Sequence, residues 1–317
     1  MKMSDIGMRP LGNSGLKVAP LALGGNVFGW TADKATSFRV LDAFVDAGGT
    51  MIDTADVYSA WVPGHVGGES EAVIGEWLKR DPSKRERVVI ATKVGFMAGL
   101  KPETIAPTCE DSLRRLGTET IDLYYQHKDD ENVPLAESLG AFEELREAGK
   151  IGATGLSNFS AERVEEALNV CRENGYARPD ALQNWYNLVE RGKYEGALQD
   201  ATVAAGLSQF PYYSLANGFL TGKYRSEDDL QKSPRGLRNI DYVKSERGQG
   251  VLAALDEVAA ETGAAMATVA LAWMKAQPGI TAPIASATSV EQLGELVAAL
   301  RLDLTPGQLS RLSRASD

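Results

Sequence analysis

The chain is poor in the residues that build cross-links and metal sites. Among 317 residues there are two cysteines and two histidines. Cys109 and Cys171 form no C-x-x-C pair, which removes the usual zinc-ribbon and dithiol spacings and leaves two reduced thiols of a cytoplasmic protein. His65 and His127 stand apart from each other and from both cysteines, so no metal ligand set is expected. No apolar run reaches the roughly 18 residues of a membrane-spanning helix, and no apolar leader follows Met1. Positive charge is also short. Lys and Arg total 33 against 43 Asp and Glu, a net −10 that argues against nucleic acid or an anionic membrane as partner. A Gly-rich dinucleotide loop is missing too. Gly24 to Gly29 reads GGNVFG, without G-x-G-x-x-G spacing and with no helical pattern directly behind it.

What is present is an ordinary soluble core, 44% hydrophobic and 24% charged residues, arranged with a regular alternation. Eight short β-like runs are predicted at Pro20–Gly24, Met51–Thr54, Val88–Thr92, Ile121–Tyr125, Gly152–Gly155, Ala181–Trp185, Phe210–Ser214 and Ile280–Ile284. Between and after them lie helical periodicities: Ala35–Ala47, Glu69–Lys79, Thr104–Leu116, Leu135–Ala148, Ala161–Asn174, Lys193–Ala205, Gly248–Gln277 and Val290–Leu300. Eight βα units without a break in composition imply one domain over residues 1–317, an α/β fold of the (β/α)8 TIM-barrel type. Met8–Val18, with its Gly-Asn-Ser-Gly turn, is expected to form an N-terminal hairpin plugging one barrel end. Pro306–Arg314 is expected as a C-terminal extra helix. Ser59–Gly68 and Leu220–Ser245 are long loops, which in a compact domain are more often functional than accidental.

In such a barrel the catalytic groups come from strand ends at the C-terminal rim. The second run ends at Asp53-Thr54, with Tyr58 in the loop behind it; the third is followed by Lys93, the fourth by Gln126 and His127. Three consecutive strands thus bring Asp, Tyr, Lys and His to one sector. A free phenol has a pKa near 10; an ammonium beside it favours the phenolate, and a carboxylate compensates and fixes that ammonium. A neutral imidazole can orient a substrate oxygen. The set suits proton delivery to a carbonyl oxygen. Taken singly, each residue has a plainer reading: a turn cap, a surface lysine, a packed tyrosine, a structural histidine. Joint placement at successive strand ends favours the site. His65, in a Gly-rich loop, reads as structural or rim-exposed.

The stretches TMIDTADVYS, VVIATKVG, DLYYQH, GLSNFS, LQNWYN and NGFLTGKY, in that order, resemble the successive signatures of the aldo-keto reductase superfamily, as does LGNSGLKVAPLALG near the start. The resemblance runs from Arg9 to about Leu300. It implies an NAD(P)H-dependent aldo-keto reductase or alcohol dehydrogenase, interconverting an aldehyde or ketone and an alcohol by hydride transfer. Tyr58 would be the general acid and base, Lys93 and Asp53 would tune it, and His127 would orient the carbonyl. Ser157, Asn158 and Gln183 would hold the nicotinamide carboxamide, with Asp53 close by. Tyr212 would stack on the ring, although the usual YSPL appears here as Tyr212-Tyr213-Ser214-Leu215. Leu215, Asn217 and Lys223 would follow the pyrophosphate, with Gly25 and Asn26 also on the cofactor side.

At the adenosine end the pattern departs. Positions that often carry Lys or Arg for the 2′-phosphate of NADP are Ser286, Thr288 and Gln292, which lack the charge-assisted bond. Glu295 would meet the adenine amine. NADP is expected ahead of NAD on family habit, with NAD open. Phe28, Trp30, Trp61, Phe96 and Trp185 are candidate substrate walls, compatible with sugars, aryl aldehydes or fused-ring ketones alike. An alternative from another class is a cofactor-sensing regulatory subunit resembling ion-channel beta subunits, which would call for a docking surface. The partner expected is a small carbonyl or alcohol; substrate, direction in the cell and oligomeric state stay open.

Overall fold

The computed structural model describes residues 6–233 and 236–317. An antiparallel hairpin comes first, β1 (Arg9–Pro10) with β2 (Lys17–Val18). The main sheet follows as β3 (Ala22–Gly24), β4 (Met51–Asp53), β5 (Val89–Val94), β6 (Ile121–Gln126), β7 (Ile151–Ser157), β8 (Ala181–Gln183), β9 (Ser208–Gln209) and β10 (Ile284–Ala285). All eight are parallel, in the order β10-β3-β4-β5-β6-β7-β8-β9. The two edges meet: Gln209 bridges Ile280, Thr281 N donates to Gln209 O at 2.8 Å, and Ile284 N donates to Pro211 O at 2.8 Å. The result is the expected (β/α)8 barrel.

The helices are α1 (Lys34–Asp46), α2 (Glu69–Arg80), α3 (Pro102–Leu116), α4 (Leu135–Glu147), α5 (Ala161–Asn174), α6 (Ala197–Ala204), α7 (Ile240–Lys244), α8 (Glu246–Thr262), α9 (Met266–Lys275), α10 (Val290–Ala298) and α11 (Pro306–Ala315). Their starts follow local rules: Asp33, Ser160, Ser245, Ser289 and Thr305 accept from amides of the first turn of α1, α5, α8, α10 and α11. Two layers of apolar packing result. Ala22, Met51, Ala91, Leu123, Tyr125, Ala153 and Ala181 fill the barrel with Leu11 and Val18 of the hairpin. Leu23, Ile52, Ile90 and Tyr124, on the alternate face, pack outward on the helices.

Several elements differ from the sequence expectation, for local reasons. The seventh strand is Ser208–Gln209 rather than Phe210–Ser214, because Pro211 has no N–H for the ladder and Tyr213 turns left-handed, φ 55°. The eighth is Ile284–Ala285 rather than Ile280–Ile284, with Pro283 interrupting the regular ladder ahead of it. The expected helix Gly248–Gln277 is two helices, α8 capped by left-handed Gly263 (φ 68°). The expected Lys193–Ala205 helix starts at Ala197, after Gly196 at φ 93°. The stretch 220–245 is built from short 3-10 turns and α7, and Leu230 and Val243 are buried under it; Pro234 and Arg235 lie outside the described residues.

Two close approaches fix the frame. A Cβ at Gly75 of α2 would stand 2.1 Å from the Arg115 carbonyl, so α2 and α3 touch through bare backbone. At the other end, Arg9 Nη1 donates to the carbonyls of Lys275 (2.9 Å), Ile280 (2.8 Å) and Thr281 (3.2 Å), closing the floor of the barrel. No helix of the described residues is long and apolar enough to cross a membrane.

Candidate active site

Register brings the site together. Asp53 pairs with Ala91, Lys93 with Tyr125, and Tyr125 with Gly155. Side chains two apart share a face, so Asp53, Lys93 and His127 all turn inward at the C-terminal rim. Lys93 lies inside β5, not beyond it, and is fully buried. Its ammonium uses three donors: to Asp53 Oδ2 at 2.8 Å, Thr54 O at 2.7 Å and Tyr58 Oη at 2.9 Å. Tyr58 also donates to Asp53 Oδ2 at 3.3 Å. The His127 ring lies 6.1 Å from that of Tyr58, centre to centre. Tyr125 forms the floor, seated against Gly155, where a Cβ would come within 2.4 Å of its ring.

Burial dominates the electrostatics. It pushes the Tyr58 phenol well above its ordinary value, and the charge and hydrogen bond of Asp53 push the same way. The expected pull of Lys93 toward the phenolate is thus outweighed, and in the protein alone Tyr58 is held protonated. Burial lowers Lys93, and Asp53 opposes that loss. Burial, then the charges of Lys93 and Lys128, hold His127 well below its ordinary value, so its imidazole is neutral at pH 7.

Behind the barrel wall lies a polar layer that the sequence reading missed. Glu71 of α2 is fully buried, accepts from Thr92 Oγ1 at 2.5 Å and pairs with Arg115 of α3 at 2.6 Å. Asp56 lies close enough for the charge of Glu71 to reach it. Burial first, and then that charge, raise its carboxyl to about 7. A buried Glu two positions after Glu69 in an acidic first turn carries no hydropathy signal, which is why it escaped notice.

The residues assigned to a cofactor fall into three groups. Next to the tetrad, Gln183 Nε2 donates to Asp53 Oδ1 at 2.9 Å, while Asn158 Nδ2 donates to His127 O at 2.9 Å and Ser157 Oγ at 3.1 Å. Tyr212 Oη donates to Asn158 Oδ1. Next comes a loop in which Ala216, Asn217 and Gly218 are all left-handed, φ 47°, 54° and 91°. There Asn217 Oδ1 is buried without a partner among the described residues, and a Cβ at Gly218 would fill the space against Lys223. Consecutive left-handed residues beside the exposed Lys223 ammonium fit a phosphate-bearing ligand. Leu215 is half-buried, packed against the core. The third group is at α10: Ser286 Oγ donates to Asn26 Oδ1 at 2.6 Å, and Thr288 N and Oγ1 both donate to Gln292 Oε1 at 3.0 Å. Glu295 is exposed on the same helix. Arg39 of α1, also missed from sequence, lends its charge to Glu291 there. The amide of Gly25 is spent on Asp53 O at 2.7 Å.

The aromatic candidates divide. Trp30 and Trp61 meet edge to face at 5.6 Å, Trp61 lies 6.1 Å from Tyr58, and Phe96 lies 4.9 Å from His127. Trp185 packs on Tyr212 at 6.4 Å and Tyr213 at 4.9 Å. Phe28 is not exposed on this wall: it is fully buried and belongs to the large outer core cluster. Cavities lined by Glu110 and Lys150, and by Lys17 and Arg85, include none of these residues.

The aldo/keto reductase family model matches residues 20–317. The chain belongs to the aldo/keto reductase family. An oxidoreductase of Bacillus subtilis named YrpG is 34% identical, over 93% of this chain and 91% of its own. Human aflatoxin B1 aldehyde reductase member 4 is 34% identical over 87% of each chain, and the protein tas of Escherichia coli is 29% identical over 95% and 94%. This aldo/keto reductase is an NAD(P)H-dependent oxidoreductase, and the family acts on small molecules.

Proposed function

We propose that this aldo/keto reductase is one cytoplasmic barrel domain that interconverts an aldehyde or ketone and an alcohol, with Tyr58 as general acid and base. One observation carries the reading: a fully buried ammonium bonded at once to Asp53 and to the Tyr58 hydroxyl. Relatives named aldehyde reductases support an aldehyde as the carbonyl compound.

A carbonyl oxygen seated between Tyr58 Oη and the neutral His127 ring takes a hydrogen bond from each. His127 fixes the direction of the C=O, and Tyr58 releases its proton to the oxygen as negative charge builds there. The phenolate left behind lies 2.9 Å from Lys93 Nζ, the group that compensates it. Asp53 keeps that ammonium protonated and in place. A nicotinamide, when bound, supplies the hydride to the carbonyl carbon. Ser157, Asn158 and Gln183 would hold its carboxamide and Tyr212 its ring. Asn217 and Lys223 would serve the pyrophosphate, and Ser286, Thr288 and Gln292 the adenosine end. NADPH is read as the preferred form, through neutral donors in place of Lys or Arg.

The test is Tyr58→Phe. Removing the proton donor should cost roughly 10²–10⁴-fold in turnover, followed as loss of NADPH absorbance with a panel of aldehydes, while NADPH binding persists. Undiminished turnover would remove Tyr58 from its role. Tight cofactor binding with no turnover on any carbonyl by the unaltered protein would favour the sensor reading.

A further inference from the structure

Tyr213 is the one large side chain at this rim held in a left-handed backbone conformation, φ 55°, among the described residues. A bulky residue there is strained by about 1–3 kcal/mol, and such strain gathers at ligand clamps. The surroundings enforce it. Asn187, fully buried, donates from Nδ2 to the Tyr213 carbonyl at 3.0 Å, and the amide of Ala216 donates to the same oxygen at 2.7 Å. The ring is thereby lifted onto Trp185, 4.9 Å away, and lies 5.2 Å from Tyr212.

Its hydroxyl differs from its neighbours'. The Tyr212 hydroxyl is committed to Asn158, and the Tyr58 hydroxyl to Asp53 and Lys93. The Tyr213 hydroxyl bonds to no described residue, and the residue as a whole is 36% exposed. Packing places it beside the chemistry: its ring rests on Tyr212, whose hydroxyl holds Asn158, and Asn158 Nδ2 donates to the His127 carbonyl at 2.9 Å. A phenol strained into place on an aromatic wall beside the site is a donor and acceptor without a partner among the described residues.

We propose that Tyr213 is a specificity-determining residue: its hydroxyl hydrogen-bonds a second oxygen function borne by the substrate while the carbonyl lies at Tyr58. The substrate class is then a hydroxylated or alkoxylated carbonyl compound rather than a plain alkyl aldehyde. This rests on the reading of Tyr58 given above.

The experiment is Tyr213→Phe, which keeps the ring and removes the hydroxyl. Steady-state reduction at saturating NADPH is compared on matched pairs, glyceraldehyde against propanal and 3-hydroxybenzaldehyde against benzaldehyde. One lost hydrogen bond should lower kcat/KM on the hydroxylated member by about tenfold, mainly through KM, and leave the plain member within about twofold. The NADPH dissociation constant, read from quenching of tryptophan fluorescence, should not move. Equal losses on both members, no loss on either, or weaker NADPH binding in place of lost discrimination would each overturn the proposal. Tyr58→Phe, run beside it, separates the two claims: activity retained there removes the catalytic reading, whereas activity lost there with unchanged discrimination in Tyr213→Phe removes only this one.

Discussion

The pair Asp53 and Lys93 offers the sharpest test of how the barrel tolerates charge in its interior. Both side chains are 2% exposed or less and lie 2.8 Å apart. Changing Asp53 to Asn leaves the ammonium with Thr54 O, Tyr58 Oη and a neutral amide, and strands a buried charge. Breaking a buried pair from one side costs about 3–5 kcal/mol. For 317 residues, unfolding entropy at about 2.1 cal/mol/K per residue turns that into a fall in Tm of roughly 4.5–7.5 °C.

The cost has a definite pH dependence. Burial already lowers Lys93 in the folded protein, and removing Asp53 lowers it further. The folded state therefore disfavours the ammonium that the unfolded chain keeps up to about pH 10.4. The penalty is complete below the folded value and fades as pH rises from there toward the unfolded one, because the unfolded chain binds the extra proton in that window. Urea unfolding at pH 7 and pH 9.5 should show the variant's deficit shrinking at the higher pH. The double variant Asp53→Asn, Lys93→Met removes the stranded charge and should recover much of the loss. A single-variant cost below about 1 kcal/mol, or a double variant as unstable as the sum of the singles, would refute the reasoning.

Three further outcomes follow. Since His127 stays neutral in the fold, the rate of carbonyl reduction should show no limb near pH 6.5; its share of stability should fall as pH drops below that value, where the unfolded histidine takes up a proton. Gln292→Arg should lower the KM for NADPH by about tenfold and leave NADH unchanged, since a charge-assisted bond would join the neutral donors at Thr288, measured by initial rates with each cofactor. Gly75→Ala should cost more than about 2 kcal/mol in chemical unfolding, because its methyl meets the Arg115 backbone, which cannot move aside as a flexible side chain would.

Period and composition were enough to read the alternation of strands and helices, the hairpin and the positions of Asp53, Tyr58, Lys93 and His127, because strand ends deliver side chains by simple parity. Where prolines break a ladder, as at Pro211 and Pro283, an apolar run overstates or displaces the strand, since hydrophobicity marks burial and not backbone pairing. Phe28, expected as a substrate wall, is fully buried: an aromatic near a rim can enter the core, and sequence position does not tell which. Glu71, Arg115 and Asp56 were illegible because buried charges look like surface charges until their partners, brought from other elements, are seen. The phenol of Tyr58 was misjudged because pairwise reasoning weighed the ammonium and not the desolvation around both.

The clasp of Arg9 on the carbonyls at the far end of the chain also sets a timetable for biosynthesis. Its contact with Ile280 spans 271 residues. At a synthesis rate of 5–20 residues per second, roughly 14–54 s pass between the emergence of one partner and the other. Through that interval β3 waits for β10 with one edge unpaired. Nascent chains of this enzyme therefore leave the ribosome carrying an open strand edge, the kind of template on which unfinished polypeptides associate with one another before they close on themselves.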